Sequence, residues 1–439
     1  MFLLIKPLPL IKKKKHVRVS LKQMTIHVFK LFKQQLKKKR KKFPKNKKFR
    51  FKLCCDGREI NGQSQIGLAL VPLDMQDIFG TQEVLSVFYF ALIEGAETKE
   101  TIQSYLTKYY KKEIQQIQEK GVKIDGVDIS LDLFYCSDLK NVRQTMDDNC
   151  FCCKFNKGVF KLGDSRVKCC AFGIKYFKHI ICLLHMKQRI HERIMAIIGN
   201  SLIDQDFQTF TNNIRNLPQC GDFYWKLKSD IPKEEQLDKD DDDNDEVQKL
   251  STRQIKGYQI DIMLNHIGDM FLGVNSPHED YKNLLQVWKY YLCLLQATND
   301  EIGCSGSEKK KNHVADLNVY GLLLRKALQA VSTKDVVKAK YIHYTLHIPA
   351  MVEEFGSLCV YSNQGFENSH KYHKTLCNRI TNNGGSKHPI PLIVAIMNWQ
   401  CRKMLSCIET DSDWGKIVLR NRLTSKKPLD TLLNRTYIP

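Results

Sequence analysis

Three acidic residues far apart in the chain, Asp56, Asp138 and Glu367, are of the type that two-metal phosphoryl transfer requires. That chemistry holds two Mg²⁺ (or Mn²⁺) ions about 4 Å apart on hard oxygen ligands, with the scissile phosphate between them. Carboxylates crowded at one sheet edge repel one another unless a divalent cation neutralises them. Taken singly, an Asp ending a strand is commonly a turn residue. Asp132, Asp147 and Asp148 lie nearby in sequence, and Glu353 and Glu354 compete for the third role. Placement favours Asp56 and Asp138, because both fall where adjacent parallel strands would end.

A second set has the types that grip zinc. Cys150 and Cys153 in "CFCC" have the spacing of a zinc knuckle, with Cys152 as an unmatched neighbour, and His343 and His347 put two imidazoles on one helix face. Together they would make a closed Cys₂His₂ site, so the Zn²⁺ would be structural. A Cys-x-x-Cys is a weak signal in a chain with 16 cysteines, and the matching histidine pair strengthens it.

The elements that must position these groups are legible from periodicity. "FRFKLCCD" alternates with Phe49, Phe51, Leu53 and Cys55 on one face, the period of a strand. "QIGLALVP" and "VLSVFYFALIEG" read as two further strands in antiparallel hairpins or meanders. A single helical stripe follows, carrying Ile102, Tyr105, Leu106, Tyr109, Ile114 and Ile117, with Thr98 as N-cap and Gly121 as stop. "VDISLDLFYCSD" is the fourth strand. The order β-β-β-α-β allows the fourth strand to lie parallel to the first by a right-handed crossover. Asp56, ending the first strand, and Asp138, ending the fourth, would then emerge side by side.

Beyond this unit the chain turns helical, with apolar residues at three- and four-residue intervals. The run "DKDDDDNDE" at 238–246 cannot bury its charge and is expected to be a disordered linker. The expected organisation has five parts. Residues 1–48 form a basic, disordered arm, and 49–178 the first part of an α/β core with the Cys-x-x-Cys knuckle. Residues 179–340 form an α-helical insertion with an acidic linker at about 232–250. Residues 341–385 return to the core with the histidine pair and Glu367, and 386–439 form a C-terminal helical tail.

Composition bounds the partners. The net charge is +22, and residues 1–50 hold 19 Lys or Arg and no Asp or Glu, so the charge reads as a property of the arm. Such an arm suits phosphate backbones or a nuclear-import address, and equally a solvated tail. No run approaches the roughly 18–20 apolar residues of a membrane span, so no membrane partner is expected. The cysteines sit in apolar strand-like runs, which suits a reducing compartment better than a disulfide scaffold.

"CDGRE", "CSDLK", "CFCC", "HYTLHIP" and "GSLCVYSNQGFENSH" together resemble the core of cut-and-paste DNA transposases of the DDE/D class. The resemblance covers roughly residues 50–380. The closest style has a helical insertion before the final Glu, as in hAT and Transib elements and the V(D)J recombinase catalytic subunit. In the latter group a Cys-x-x-Cys follows the second Asp, and a histidine pair precedes the Glu by about twenty residues; here His347 precedes Glu367 by 20. The resemblance implies an RNase H-like fold with Asp56, Asp138 and Glu367 as metal ligands. It further implies cleavage and strand transfer of double-stranded DNA by a nuclear protein, expected as a homodimer. Lys371, Lys374 and Arg379, on the helix opened by Glu367, are candidate phosphate contacts. The alternative is a domesticated or decayed DNA-binding protein that keeps the fold without the chemistry.

Overall fold

The computed structural model describes residues 10–138, 174, 178–227, 250–299, 307–331, 340–380 and 391–414, except 14, 46, 61, 77, 81, 253, 254, 256, 276 and 277. Its first elements correct the expectation of a disordered arm. Strands β1 (Ile11–Lys13) and β2 (His16–Arg18) form a hairpin, and helix α1 (Leu21–Lys38) follows. Ser20 caps α1 by accepting from the Gln23 amide at 3.3 Å. Leu21, Met24, Val28, Phe29, Leu31, Phe32 and Leu36 lie along one side of α1 and are all buried. The helix is amphipathic: its five lysines occupy the outward face, so part of the charge read as a free arm decorates a folded helix. Each of those buried side chains contributes roughly 1.5–3 kcal/mol, far more than a charge run costs at the surface.

The sheet is built next. Strands β3 (Lys48–Ile60), β4 (Gln63–Pro72) and β5 (Phe88–Glu94) are antiparallel neighbours. Helices α2 (Lys99–Tyr109) and α3 (Lys111–Lys120) then lead, through β6 (Val122–Ile124), to β7 (Val127–Ser137). β7 pairs in parallel with β3, from Lys48 opposite Ser130 to Cys54 opposite Cys136. Strand β8 (His179–Ile181) adds in parallel on the other side of β7. Among the described residues the sheet order is β1-β2-β5-β4-β3-β7, with β6 and β8 both on β7. The class is therefore mixed α/β.

Two local differences from the periodicity have physical causes. The single helix expected over 99–120 breaks at Tyr110, whose buried hydroxyl donates to the carbonyls of Val19 and Phe90, each at 3.1 Å. β3 also runs past Asp56 to Ile60, because its pairing with β4 continues after its pairing with β7 stops. Gly121 ends α3 as expected, at φ 66, where a Cβ would meet the Ile129 carbonyl oxygen at 2.1 Å.

The remaining helices of five or more residues are α4 (Leu183–Ser201), α5 (Asp204–Asn216), α6 (Gly257–Asn265), α7 (His278–Asn299) and α8 (Ser307–Val331). They are followed by α9 (Lys340–Tyr344), α10 (Ile348–Phe355), α11 (Gln364–Ile380) and α12 (Leu392–Glu409). α12 is not a free tail. It packs on the sheet and on α1, burying Ile393, Val394, Met397, Cys401 and Met404, while Gln34 of α1 donates to the Ile408 carbonyl at 3.0 Å. The acidic run 238–246 lies outside the described residues. Among the described residues, no helix is long and apolar enough to cross a membrane.

Candidate active site

The parallel ladder sets the geometry. Cys54 is opposite Cys136, so two residues further along each strand Asp56 comes beside Asp138, the first residue after β7. On the other side of β7, Ser137 is opposite Ile181, which brings Cys182 next in line. Three neighbouring strands thus deliver Asp56, Asp138 and Cys182 to one end of the sheet. Glu97, from the turn between β5 and α2, joins the first two: one oxygen of each of Asp56, Glu97 and Asp138 lies within 4.8 Å of the others. The Gly57 amide donates to Glu97 Oε2 at 3.1 Å. A Cβ at Gly57 would meet that oxygen at 2.5 Å, so glycine permits the approach.

Crowding of like charge has the expected electrostatic result. Burial, then Asp138, Glu97 and Glu367, push the Asp56 carboxyl well above the usual carboxylate range, while His185 opposes them. Glu367 is likewise raised by burial and by Asp138, against His185 and Lys371. All three acids named from the sequence therefore act on one another. Raising of the Asp56 and Glu367 carboxyls favours a divalent cation at this group, and its all-oxygen donor set suits Mg²⁺.

Glu367 is brought to the sheet by the residues preceding α11. Asn363 is buried, its amide nitrogen donating to the Cys136 carbonyl at 3.1 Å and its carbonyl oxygen accepting from the Cys54 thiol at 3.4 Å. One side chain thus clasps the ends of β3 and β7. The Asn363 backbone amide donates to Cys182 Sγ at 3.3 Å, and the buried Lys52 ammonium donates to the Ser362 carbonyl. The Gly365 amide donates to Gln82 Oε1 at 3.0 Å, and the Glu367 amide donates to the Asn363 carbonyl at 2.9 Å, closing the first turn. The Gln364 amide donates to Ser362 Oγ at 3.4 Å.

On the far side of Glu367 stand Cys182 and His185, at the start of α4. His185 Nε2 is 3.1 Å from Glu367 Oε1, and the three residues offer ligand atoms within 4.8 Å of one another. Burial opposes protonation of His185, but the Cys182 thiolate, then Glu367 and Asp138, raise it to about 10. Burial alone would push the Cys182 thiol up, yet His185 holds it below the ordinary value.

α11 turns two histidines inward and its lysines outward. His370 and His373 are both buried. His370 Nδ1 stands 3.7 Å from Asp56 Oδ2, and His373 Nδ1 is 2.6 Å from the buried Arg58. Arg58 also donates to Tyr89 Oη at 3.2 Å. Burial, helped by the Arg58 charge, pushes both imidazoles well below their ordinary values and keeps them neutral. Lys371 and Lys374 are exposed on the outer face; Arg379 lies in the same helix, its side chain outside the described residues.

His343 and His347 are buried with their Nε2 atoms 3.1 Å apart. Two nitrogens on a tetrahedral zinc stand about 3.3 Å apart, so this separation suits shared ligation. Cys150 and Cys153, the other half of that expected site, lie outside the described residues, as do Asp147 and Asp148. Asp132 is paired with Lys178, and with Lys48 at 3.7 Å, on β7 roughly 20 Å of strand before Asp138. Glu353 and Glu354 are exposed on α10, whereas Glu367 interacts with His185 and Asp138. Sequence reasoning missed Glu97 and Cys182. The available signal was each one's position just past a strand of the same sheet.

No protein-family model matches this chain, and no curated protein matches it either.

Proposed function

We propose that this chain is a DNA-cleaving and strand-transferring phosphoryl transferase of the DDE/D transposase kind, built on an RNase H-like sheet. The carrying observation is that Asp56 and Asp138, from adjacent strands, form one acidic group with Glu97, and that Glu367, from far along the chain, lies close enough to couple electrostatically with both aspartates. The β-β-β-α-β order, with β7 parallel beside β3, supports the fold assignment.

Asp56, Asp138 and Glu367 would hold Mg²⁺ or Mn²⁺, with Glu97 as a fourth carboxylate. The metal supplies activation of water, and later of a 3′-hydroxyl, together with neutralisation of charge on the departing oxygen. The chain does the rest. Asn363 fixes the start of α11 against the strand ends, so Glu367 approaches the aspartates as a preset group. Arg58, two residues from Asp56 and buried, adds positive charge behind the cluster. Lys371 and Lys374, exposed on α11, suit the flanking phosphates of double-stranded DNA.

The test is Mg²⁺-dependent nicking or strand transfer of DNA by the full chain. Asp56→Asn, Asp138→Asn and Glu367→Gln are each expected to abolish it while leaving salt-sensitive DNA binding in place. Cleavage undiminished in all three variants refutes the proposal; binding without cleavage in the unaltered chain favours a non-catalytic DNA-binding role.

A further inference from the structure

We propose that Cys182, His185 and Glu367 form a binding site for a zinc-class divalent cation, distinct from the carboxylate group of Asp56, Glu97 and Asp138. The site itself does not depend on the DNA-cleavage reading; only its consequence for catalysis does.

The ligand types decide the ion. A thiolate, an imidazole and a carboxylate are the donors of open zinc sites, whereas Mg²⁺ demands oxygen ligands and gains little from sulfur. The neighbouring group offers oxygen alone, so two sites of different hardness lie side by side at one sheet end. Their spacing is nearly that of a loaded site. The three donor atoms lie within 4.8 Å of one another, and His185 Nε2 is already 3.1 Å from Glu367 Oε1. Tetrahedral ligation by one sulfur and two lighter atoms needs separations of about 3.3–3.6 Å, within the 4.8 Å span of these three donors.

The framework favours the ionised donors. Cys182 immediately precedes α4 and Glu367 lies in the first turn of α11, so both anionic ligands stand at helix N-termini. Cys182 is fully buried and receives the Asn363 amide at 3.3 Å, which orients its sulfur. Glu367 Oε1 is buried with no hydrogen-bond partner among the described residues, its approach to His185 being an ion-pair contact. A metal bound here would take the place of the His185 proton that makes this contact an ion pair.

Glu367 would belong to both groups. A zinc-class ion bound by Cys182 and His185 therefore withdraws the carboxylate that Mg²⁺-dependent cleavage needs, and acts as an inhibitor read through the thiol.

The experiment equilibrates the full chain with a zinc-buffered solution, removes free ion, and measures zinc per chain by mass spectrometry. Cys182→Ser and Glu367→Gln are each expected to retain one equivalent less than the unaltered protein. Any zinc at His343 and His347 contributes equally to all three and cancels. Millimolar Mg²⁺ should leave the difference in place. Co²⁺ provides a second readout, since a thiolate ligand gives near-ultraviolet charge transfer that disappears in Cys182→Ser. Should that variant fail to fold, Glu367→Gln, which keeps size and shape, decides alone. Equal zinc content and equal cobalt spectra in unaltered and Glu367→Gln protein overturn the site. DNA cleavage separates the two proposals. If the protein cuts DNA, zinc should inhibit it and Cys182→Ser should relieve the inhibition. If it cuts no DNA, the functional proposal falls and the zinc difference still judges the site.

Discussion

The Asn363 side-chain amide donates to the Cys136 carbonyl at 3.1 Å, joining the residue before α11 to the next-to-last residue of β7. Cys136 is two positions before Asp138, and Asn363 is four before Glu367, so this bond sets the distance between two of the acids. Asn363→Ala removes two buried hydrogen bonds, at a cost of about 1–3 kcal/mol. Denaturant melts should show that loss. Cleavage should fall by more than DNA affinity does, because the substitution loosens Glu367 without touching the exposed lysines.

The crowded carboxylates make stability depend on the cation. Asp56 has its carboxyl raised in the folded chain by burial, Asp138 and Glu97, so its contribution favours folding at low pH and is lost as pH rises. At neutral pH without metal, Asp56→Asn should therefore raise the melting temperature. Mg²⁺ at 100 times its dissociation constant should stabilise the unaltered protein by about 2.7 kcal/mol and the variant by far less. Calorimetric scans with and without Mg²⁺ test this; an equal metal response in both proteins counts against ligation by Asp56.

His191 of α4 is a separate source of acid sensitivity. It is fully buried, with Nε2 3.3 Å from Met263 Sδ and its ring 5.0 Å from Trp288, and burial, aided by Lys187, pushes it down to about 3 from 6.5. Its folded-state value is depressed, so stability is full above the unfolded value and drains away as pH falls through that window. Between neutrality and pH 5 the loss should reach about 2 kcal/mol. His191→Leu should flatten that part of the stability profile; parallel profiles for the two proteins would show that the imidazole does not govern it.

α1 should behave as core despite its lysines. Phe32 is 1% exposed and its ring sits 5.9 Å from Phe43 and 6.3 Å from Phe49. Phe32→Ala should cost about 3–5 kcal/mol. Lys30→Ala, on the exposed face of the same helix, should stay within about 0.5 kcal/mol. Urea titration of both variants reads the contrast, and a harmless Phe32→Ala would restore the picture of a detachable arm.

What the sequence determined by itself is local. The alternation of Phe49, Phe51, Leu53 and Cys55, and of Ile129, Leu131, Leu133 and Tyr135, reports strands because side-chain direction repeats every two residues. Strand order and the crossover helix then follow from chain connectivity, which is why the pairing of β3 with β7 was legible. α1 was misread because its 3.6-residue apolar period lies beneath a conspicuous excess of lysine, and net charge does not say which face carries it.

Only the tertiary structure decided which residues meet. The register of β8 on β7 brings Cys182 beside Asp138, and the clasp of Asn363 on two strand ends brings Glu367 to His185 across the helical segment between them. Glu97 enters because a turn after β5 folds over Gly57. No local pattern encodes these meetings. They depend on hydrogen bonds and packing between segments far apart in the chain, and a shift of one residue in either register would turn the same side chains to the opposite face.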